Sequence, residues 1–471
     1  MTDKAVTISI TIKAGKEERY LEKEIAVGEL EQGLERLGQE MTVEVSQKIL
    51  EVLDDEIRHE VPESWQNVGR EKRSVVMTFG WVNYARRVYK DEQGRRIKPL
   101  DVLLDIQPYE RNSLKVQTMG SVLAAQSTYR MAADSLSYLV KTDISASSIQ
   151  RMVWKIGQRI EAQEKDFEAE EPGKISAPVL YGESDGVWLH LQREKVRKKE
   201  VKVAVMYTGK QLIGKDRYKL NTKTTMTQLG GTTLEWQEKL RNLADKTYDL
   251  DKSRLMVVGG DGNVWVKQSF DLFNLPQTYL LDRFHVRRAL SQSFGQELDI
   301  SQLCKRLYSQ GFEFISADLL DCIFRSRGKK KEQMQKTYQY LENNQDALMD
   351  LDQRGFSNLS FCSLGTIEGN VDKLVVHRMQ GRGCSWRLEG ARSMLAILRR
   401  RDELKNHCFK FLPISQDRNK STAKPRVKPR QSVYQPVSGS LSFLQGDYQS
   451  KPWVQLLKQK LNYGLSLNDY F

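Results

Sequence analysis

A chain of 471 residues exceeds what one hydrophobic core supports and points to about three structural units. Lys and Arg number 74 against 61 Asp and Glu, a formal net charge of +13, so the protein's field favours polyanions, nucleic acid first among them. The amino terminus lacks the apolar length of a signal peptide and no apolar run reaches roughly 18 residues, which argues against a membrane protein and leads to the expectation of a cytoplasmic, nucleoid-associated one.

Residues 1–70 read as a helical N-terminal region, because "LEQGLERLGQEMTVEVSQKILEVLDDEI" and its surroundings, from 15 to 60, carry apolar residues at helical spacing among charges. From Ser74 the pattern turns β-rich. The stretch "SVVMTFGWVNYARRVYKDEQGRRIKPLDVLLDI" has arms around a polar turn at Glu92, Gln93 and Gly94, so residues 71–123 read as a β-hairpin element. "TYRMAADSLSYLV" and "SASSIQRMVWKIGQRIEAQ" then give two helical patterns with a polar break at Lys141 to Asp143, the second capped by Ser145. Residues 124–172 thus have the form of a helix-turn-helix, a form that two packed helices of any α-domain share. Gln150, Arg151 and Lys155 stand near the start of the second helix, where recognition helices meet DNA, and are candidate DNA-binding residues.

Between 173 and 285 strands and helices alternate. "PVLYGESDGVWLHLQ", "KEVKVAVMYTGK" and "DRYKLNTKTTMTQL" read as strands, "TLEWQEKLRNLADKTY" as a helix, "RLMVVGGDG" as a buried strand, "NVWVKQSFDLF" as a short helix and "QTYLLD" as a further strand. Three meandering strands followed by helix, strand, helix, strand is the order of a ribonuclease-H-like α/β fold. Residues 286–355 are mostly helical and highly charged, which marks a helical insertion; 356–411 would complete the core. After 411, Pro and Ser alternate with basic residues that include Lys424, Arg426, Lys428 and Arg430, so 412–471 reads as a flexible basic arm that contacts DNA. Cysteines at 304, 322, 362, 384 and 408 form no Cys-x-x-Cys pair, which argues against a disulfide framework or zinc ribbon; they are expected reduced and mostly buried.

The acids carry the chemistry. Asp185 lies in the first strand of this core, and in that topology the strand sits beside the one ending at Asp261, so two carboxylates can share a metal. "ESDGVW" and "GGDGNV" are also hairpin-turn sequences. At Asp261 the following segment has helical spacing and offers no second hairpin arm; at Asp185 the ambiguity stays, and Glu183, on the same strand face, is a rival ligand. A third acid must come from beyond the insertion. Glu368, in the first turn of a helix begun at Gly365 or Thr366, is the candidate, although the helix dipole alone would favour an acid there, and Glu389 in "CSWRLEGARSML" is the runner-up. Phosphodiester cleavage develops charge on attacking and leaving oxygens, which two divalent ions stabilise, and hard cations prefer carboxylate oxygens. A Walker-type loop is absent from the sequence.

Downstream, "YLLDRFHVRRAL" sets Asp282 and His285 after a strand. With this the chain resembles the DDE transposases of bacterial insertion sequences, in the Mutator-like group, whose signature after the second catalytic Asp is matched by "DRFH". More narrowly, "YGESDGVWLHLQ", "GGDGNVWVKQSF", "LLDRFHVRRAL" and "IEGNVDKLVVHRMQGRGCSW", with the "FGWVNYARRVYKDEQG" hairpin and "PLDVLLDI", resemble the ISLre-two family of transposases, once known only as an uncharacterised protein family. The resemblance spans roughly residues 70 to 410. It implies catalytic, metal-binding acids at Asp185, Asp261 and Glu368, with Asp282 and His285 in support, a two-metal Mg²⁺ site in which Mn²⁺ can substitute, and action on insertion-sequence ends and target DNA as a homo-oligomer. Two other functions fit the same residues: a DNA-binding protein that has lost catalysis, and a structure-selective nuclease of the same fold.

Overall fold

The computed structural model describes residues 5–14, 17–26, 29–165, 173, 175–215, 217–354, 361–381, 383–406 and 411. The basic arm with Lys424, Arg426, Lys428 and Arg430, and Cys408, lie outside these residues.

The first described elements correct the helical expectation. β1 (Ala5–Ala14) and β2 (Glu17–Ala26) form an antiparallel ribbon, with Val6 opposite Ile25. "EERYLEKEIA" has no strict alternation, and its pairing with β1 makes it strand where apolar residues spaced among charges predict helix. Helix α1 (Leu30–Ile57) follows and buries Leu37, Leu50 and Asp54. Asp54 accepts from the Arg87 backbone N–H at 2.9 Å and from its guanidinium at 2.7 Å, which ties α1 to the next sheet.

That sheet joins β3 (Gln66–Met77), β4 (Gly80–Lys90) and the short β5 (Arg96–Ile97). Met77 faces Gly80, so the main hairpin turns at Thr78 and Phe79, with Gly80 at φ +115°. The expected turn at Glu92 to Gly94 exists but links β4 to β5, and "PLDVL" is helix α2 (Pro99–Leu103), opened by proline in its first turn. Helix α3 (Leu114–Gln126), capped by Ser113, begins inside the region read as hairpin. α4 (Tyr129–Val140) ends at left-handed Lys141, and α5 (Ala146–Lys165) starts beside Ser145, whose hydroxyl accepts from Ser148 N–H at 3.2 Å. α5 buries Ile149, Met152, Val153, Ile156 and Ile160 against neighbouring helices.

The core is mixed α/β. Among the described residues its sheet has the strand order β10-β7-β6-β11-β12, built from β6 (Val179–His190), β7 (Lys198–Tyr207), β10 (Thr224–Leu229), β11 (Leu255–Gly260) and β12 (Gln277–Leu281). β6, β7 and β10 meander antiparallel; β11 and β12 run parallel to β6. The strand expected over 216–229 is split, because β8 (Gly209–Gly214) and β9 (Arg217–Asn221) form a side ribbon and Thr222, at φ +46°, turns the chain into β10. One sheet face buries Leu180, Ala204, Met206, Met256 and Val258 under α6 (Thr233–Thr247), with Trp236 and Leu240 at the contact. The other buries Tyr181, Val201, Val203, Val205 and Val257 in a core shared with α5.

After α7 (Val264–Lys267) and β12, helices α8 (Arg283–Phe294), α9 (Ile300–Gln310), α10 (Glu313–Arg325) and α11 (Gly328–Glu342) enclose their own core around Leu290, Phe294, Leu307, Ile315 and Leu341. The chain then returns as α12 (Ile367–Val371), which passes through a π turn at Asp372–Val376 into α13 (His377–Met379), followed by α14 (Leu388–Arg399) and α15 (Arg401–Lys405). α14 packs on α5 and β10. Among the described residues no helix is long and apolar enough to cross a membrane. Cys304 is buried, whereas Cys322, Cys362 and Cys384 are half-buried, less enclosed than expected; all four are free thiols.

Candidate active site

Strand register brings the acids together. Gly259 of β11 faces Glu183 of β6, and Gly260 faces Leu281 of β12. Carried on, the two registers set Asp185, Asp261 and Asp282 level in one row, where β11 and β12 end and β6 continues. The glycines before Asp261 have a steric cause. A Cβ on Gly259 would stand 2.6 Å from the Leu364 side chain, and one on Gly260 would stand 2.2 Å from Val266 and 3.0 Å from the Ser184 carbonyl oxygen. Neither acid sits in a hairpin turn: "ESDGVW" stays within β6, and Asp261 ends β11 with its Oδ1 accepting from Asn263 N–H at 2.9 Å ahead of α7. Two tyrosines brace this loop. Tyr279 accepts from Gly262 N–H at 2.9 Å, and Tyr340 of α11 donates to the Asp261 carbonyl at 2.9 Å.

Glu183 and Asp185 point to the same sheet face but have different fates. The Glu183 carboxylate is buried, with Oε2 accepting from the N–H groups of Gly365 (2.9 Å), Thr366 (2.8 Å) and Ile367 (3.2 Å) and Oε1 from the Thr366 and Tyr207 hydroxyls at 2.7 Å each. Both oxygens are thus engaged in capping the start of α12, where the helix dipole also favours a negative charge. Glu183 is a clamp for the helix that carries Glu368. Asp185, two residues on, accepts from Gly186 N–H at 2.7 Å and stands half-buried.

The electrostatics join the remaining groups. Burial pushes the Asp185 carboxyl above the ordinary carboxylate range, with Asp261 and Glu368 adding to the rise and the Gly186 N–H and His285 opposing it. Burial also raises Asp282, the N-cap of α8, against its bond from Phe284 N–H (2.9 Å) and against His285, while Glu183 and Asp261 add to the rise. Asp185, Asp261, Asp282, Glu368 and His285 therefore share one field. Glu368 is exposed in the first turn of α12; Glu389, exposed in the first turn of α14, is not among the charges acting on Asp185.

Among the described residues no three His, Cys, Asp or Glu side chains close into a metal-binding cluster. The donor chemistry still suits a hard divalent cation, since among the described residues these carboxylates form no ion pair with arginine or lysine and repel one another. Of the expected DNA-binding residues on α5, Arg151 and Lys155 are exposed and Gln150 is half-buried. Lys155 pairs with Glu110 at 2.5 Å, and Arg151 reaches Ser148 Oγ at 3.2 Å. The clamp role of Glu183 and the braces Tyr279 and Tyr340 were not read from the sequence; nothing local signals them, because their partners arrive from distant segments.

Known proteins offer the following similarities. "UPF0236 protein in vanSb 3′ region" of Streptococcus gallolyticus is 25% identical over 385 residues, covering 79% of this chain and 82% of that protein. Two UPF0236 proteins of Caldanaerobacter subterraneus subsp. tengcongensis are 21% and 20% identical, over 81% and 80% of this chain and 79% of each of theirs. Among solved structures, the Mos1 strand transfer complex aligns at 11% identity and TM-score 0.14, over 50% of this chain and 75% of that one, and a pre-cleavage Mos1 transpososome at 12% and 0.13, over 50% and 76%. Scores this low leave the fold to rest on the strand order itself. The family profile, by contrast, matches residues 20–404, and the chain belongs to the uncharacterised protein family UPF0236.

Proposed function

We propose that this protein is a DDE transposase with a ribonuclease-H-like core, which cleaves DNA strands at the ends of an insertion sequence and joins them to target DNA. The observation that carries the reading is the level row of Asp185 and Asp261 on adjacent parallel strands, with Glu368 brought to the same field by a helix that Glu183 clamps. The core order of three antiparallel strands followed by two parallel ones, interrupted by a helical module before the last acid, supports it too. So does one relative, whose name joins eleven designations from a single strain, the multiplicity that a self-copying element leaves.

Asp185, Asp261 and Glu368 would hold the divalent ions, Mg²⁺ or Mn²⁺. When bound, these ions supply charge stabilisation to the attacking and leaving oxygens. The chain's own contribution is positional. Tyr279 and Tyr340 fix the Asp261 loop, Glu183 fixes Glu368, and His285 offsets charge at Asp185 and Asp282. The helix-turn-helix and the basic arm would bind duplex DNA, the first at the element's ends and the second at any phosphate backbone.

One observation favours the non-catalytic DNA-binding alternative: the acids do not close into a ligand cluster among the described residues. A strand-nicking and joining assay separates the readings. With end-bearing DNA and Mg²⁺, wild type should nick and join, and Asp261→Asn should bind the DNA but do neither. Nicking without joining would favour a structure-selective nuclease. Binding alone by wild type would favour the non-catalytic protein.

A further inference from the structure

Tyr109 is the most exposed of the large hydrophobic side chains described, at 97% of its full accessible surface, and its backbone is left-handed at φ +65°. It is the third residue of the turn Gln107–Glu110, closed by Glu110 N–H to Gln107 O at 3.1 Å, with Pro108 second. A positive φ at that position is normally served by glycine or asparagine; a bulky side chain there is strained. The turn is nevertheless held from several sides. Arg73 donates to the carbonyls of Gln107 (3.1 Å) and Glu110 (2.6 Å), and the Glu110 carboxylate accepts from Gln107 N–H (3.1 Å) and Lys155 (2.5 Å). An exposed ring gains almost nothing from packing, so the fold does not explain why a strained position carries Tyr. Strain that the surroundings enforce at a surface is a pointer to ligand contact.

The ring stands at the rim of a cavity of about 430 Å³ between this turn and the first turns of α5. Arg111, Asn112, Ser148, Arg151 and Lys155 line it beside Glu110. Lys155 neutralises Glu110, which leaves Arg111 and Arg151 as surplus positive charge; Arg111 makes no ion pair among the described residues. The volume lies within the range of small-ligand sites. A π-face on a rigid tip, two guanidiniums and polar side chains are the recognition set for one nucleotide: a base to stack, a phosphate to pair, base edges to bond. Duplex DNA hides its base faces, so the occupant must be unstacked.

We propose that this cavity binds an unpaired DNA nucleotide, with Tyr109 stacking on the base and Arg111 and Arg151 holding its phosphate. The proposal rests on DNA being the substrate and deepens that reading, since cutting and joining strands creates unpaired ends. Its lining includes none of the acidic row, and it needs no cleavage to be tested.

Full-length protein in EDTA is titrated with a fluorescein-labelled thymidine oligonucleotide and with a duplex, by anisotropy. Tyr109→Ala should weaken single-strand binding roughly tenfold and duplex binding less than about twofold, and Tyr109→Phe should bind as wild type. Tyr109→Gly should weaken single-strand binding as alanine does while raising the melting temperature, because the left-handed backbone is relaxed. Replacing Arg111 and Arg151 together with Ala should make the salt dependence shallower. Single-strand affinity of Tyr109→Ala within about twofold of wild type, or equal losses on both DNAs, overturns the proposal. So does a wild type that ignores single strands. Failed nicking with Tyr109-dependent binding intact would instead count against the transposase reading alone.

Discussion

Glu164, on α5, and Asp185, in the acidic row, are carboxylates drawn into the same body and treated in opposite ways. Burial would raise Glu164, but Arg399 (2.6 Å) and Arg400 (3.1 Å) hold it below the ordinary carboxylate range. Burial does raise Asp185, and its neighbours Asp261 and Glu368 push in the same direction. At one site two arginines face the carboxylate; at the other, among the described residues, like charges gather with His285 as the opposing group. A structure that selects only for stability would pair both.

The strongest way to break this contrast is to remove the charge where it is unmatched. Asp185→Asn should abolish Mg²⁺-dependent nicking and yet melt above wild type in EDTA, because the amide no longer suffers desolvation of a charge. Wild type should gain stability on adding Mg²⁺ and the variant should gain little. A variant that nicks like wild type, or that melts lower without metal, would overturn the account of the row.

Glu183→Gln comes next in size. An amide cannot accept from three backbone N–H groups and two hydroxyls at once, so the start of α12 loses its cap, at a cost of roughly 2 to 4 kcal/mol in urea unfolding. Nicking should fall with it, because Glu368 is then no longer held. Unchanged stability would show that the clamp is not what fixes α12.

Acid titration sharpens the comparison further. Glu164, with its folded pKa depressed, contributes stability that is present above the ordinary carboxylate pKa and lost as pH falls through the folded one. Asp185 and Asp282, with folded pKa values raised, contribute stability that is full below about pH 4 and lost as pH rises through the folded values. The penalty of Glu164→Gln should therefore shrink towards acid, and the advantage of Asp185→Asn should grow towards neutrality. Urea melts of the three proteins across this range give the two slopes; the same sign for both would contradict the assignment. The smallest effect belongs to Tyr340→Phe, which frees the Asp261 carbonyl from α11 at about 1 kcal/mol. Its nicking rate should fall by more than its stability suggests, since the loop that carries Asp261 is loosened.

The row itself was legible because Asp261 ends an apolar run with no second hairpin arm, and because three strands before a helix limit where the next strand can lie. The choice between Glu183 and Asp185 was not, since both face the same side and only the arrival of residues 361–367 decides which carboxylate is used up. Glu17–Ala26 misled for a related reason: its apolar residues, spaced among charges, read as helix until β1 supplies the pairing partner. The main hairpin was placed at the wrong turn, because Gly80 alone is a weaker punctuation than the polar run at Glu92 to Gly94. Local signals sufficed where an element ends itself, and failed where a distant segment chooses.

The Glu183 clamp closes a loop of more than 180 residues, from β6 to the start of α12. Ribosomes deliver the amino-terminal side first, so a nascent chain can present Asp185 and Asp261, and the helices of α3 to α5, while Glu368 and the backbone donors that hold it do not yet exist. Early termination of translation before residue 361 would leave Glu183 without the donors that cap α12, and α5 and β10 without α14. Such a fragment lacks the packing that closes the core around α5, so a chain cut short stays open where the finished protein is buried.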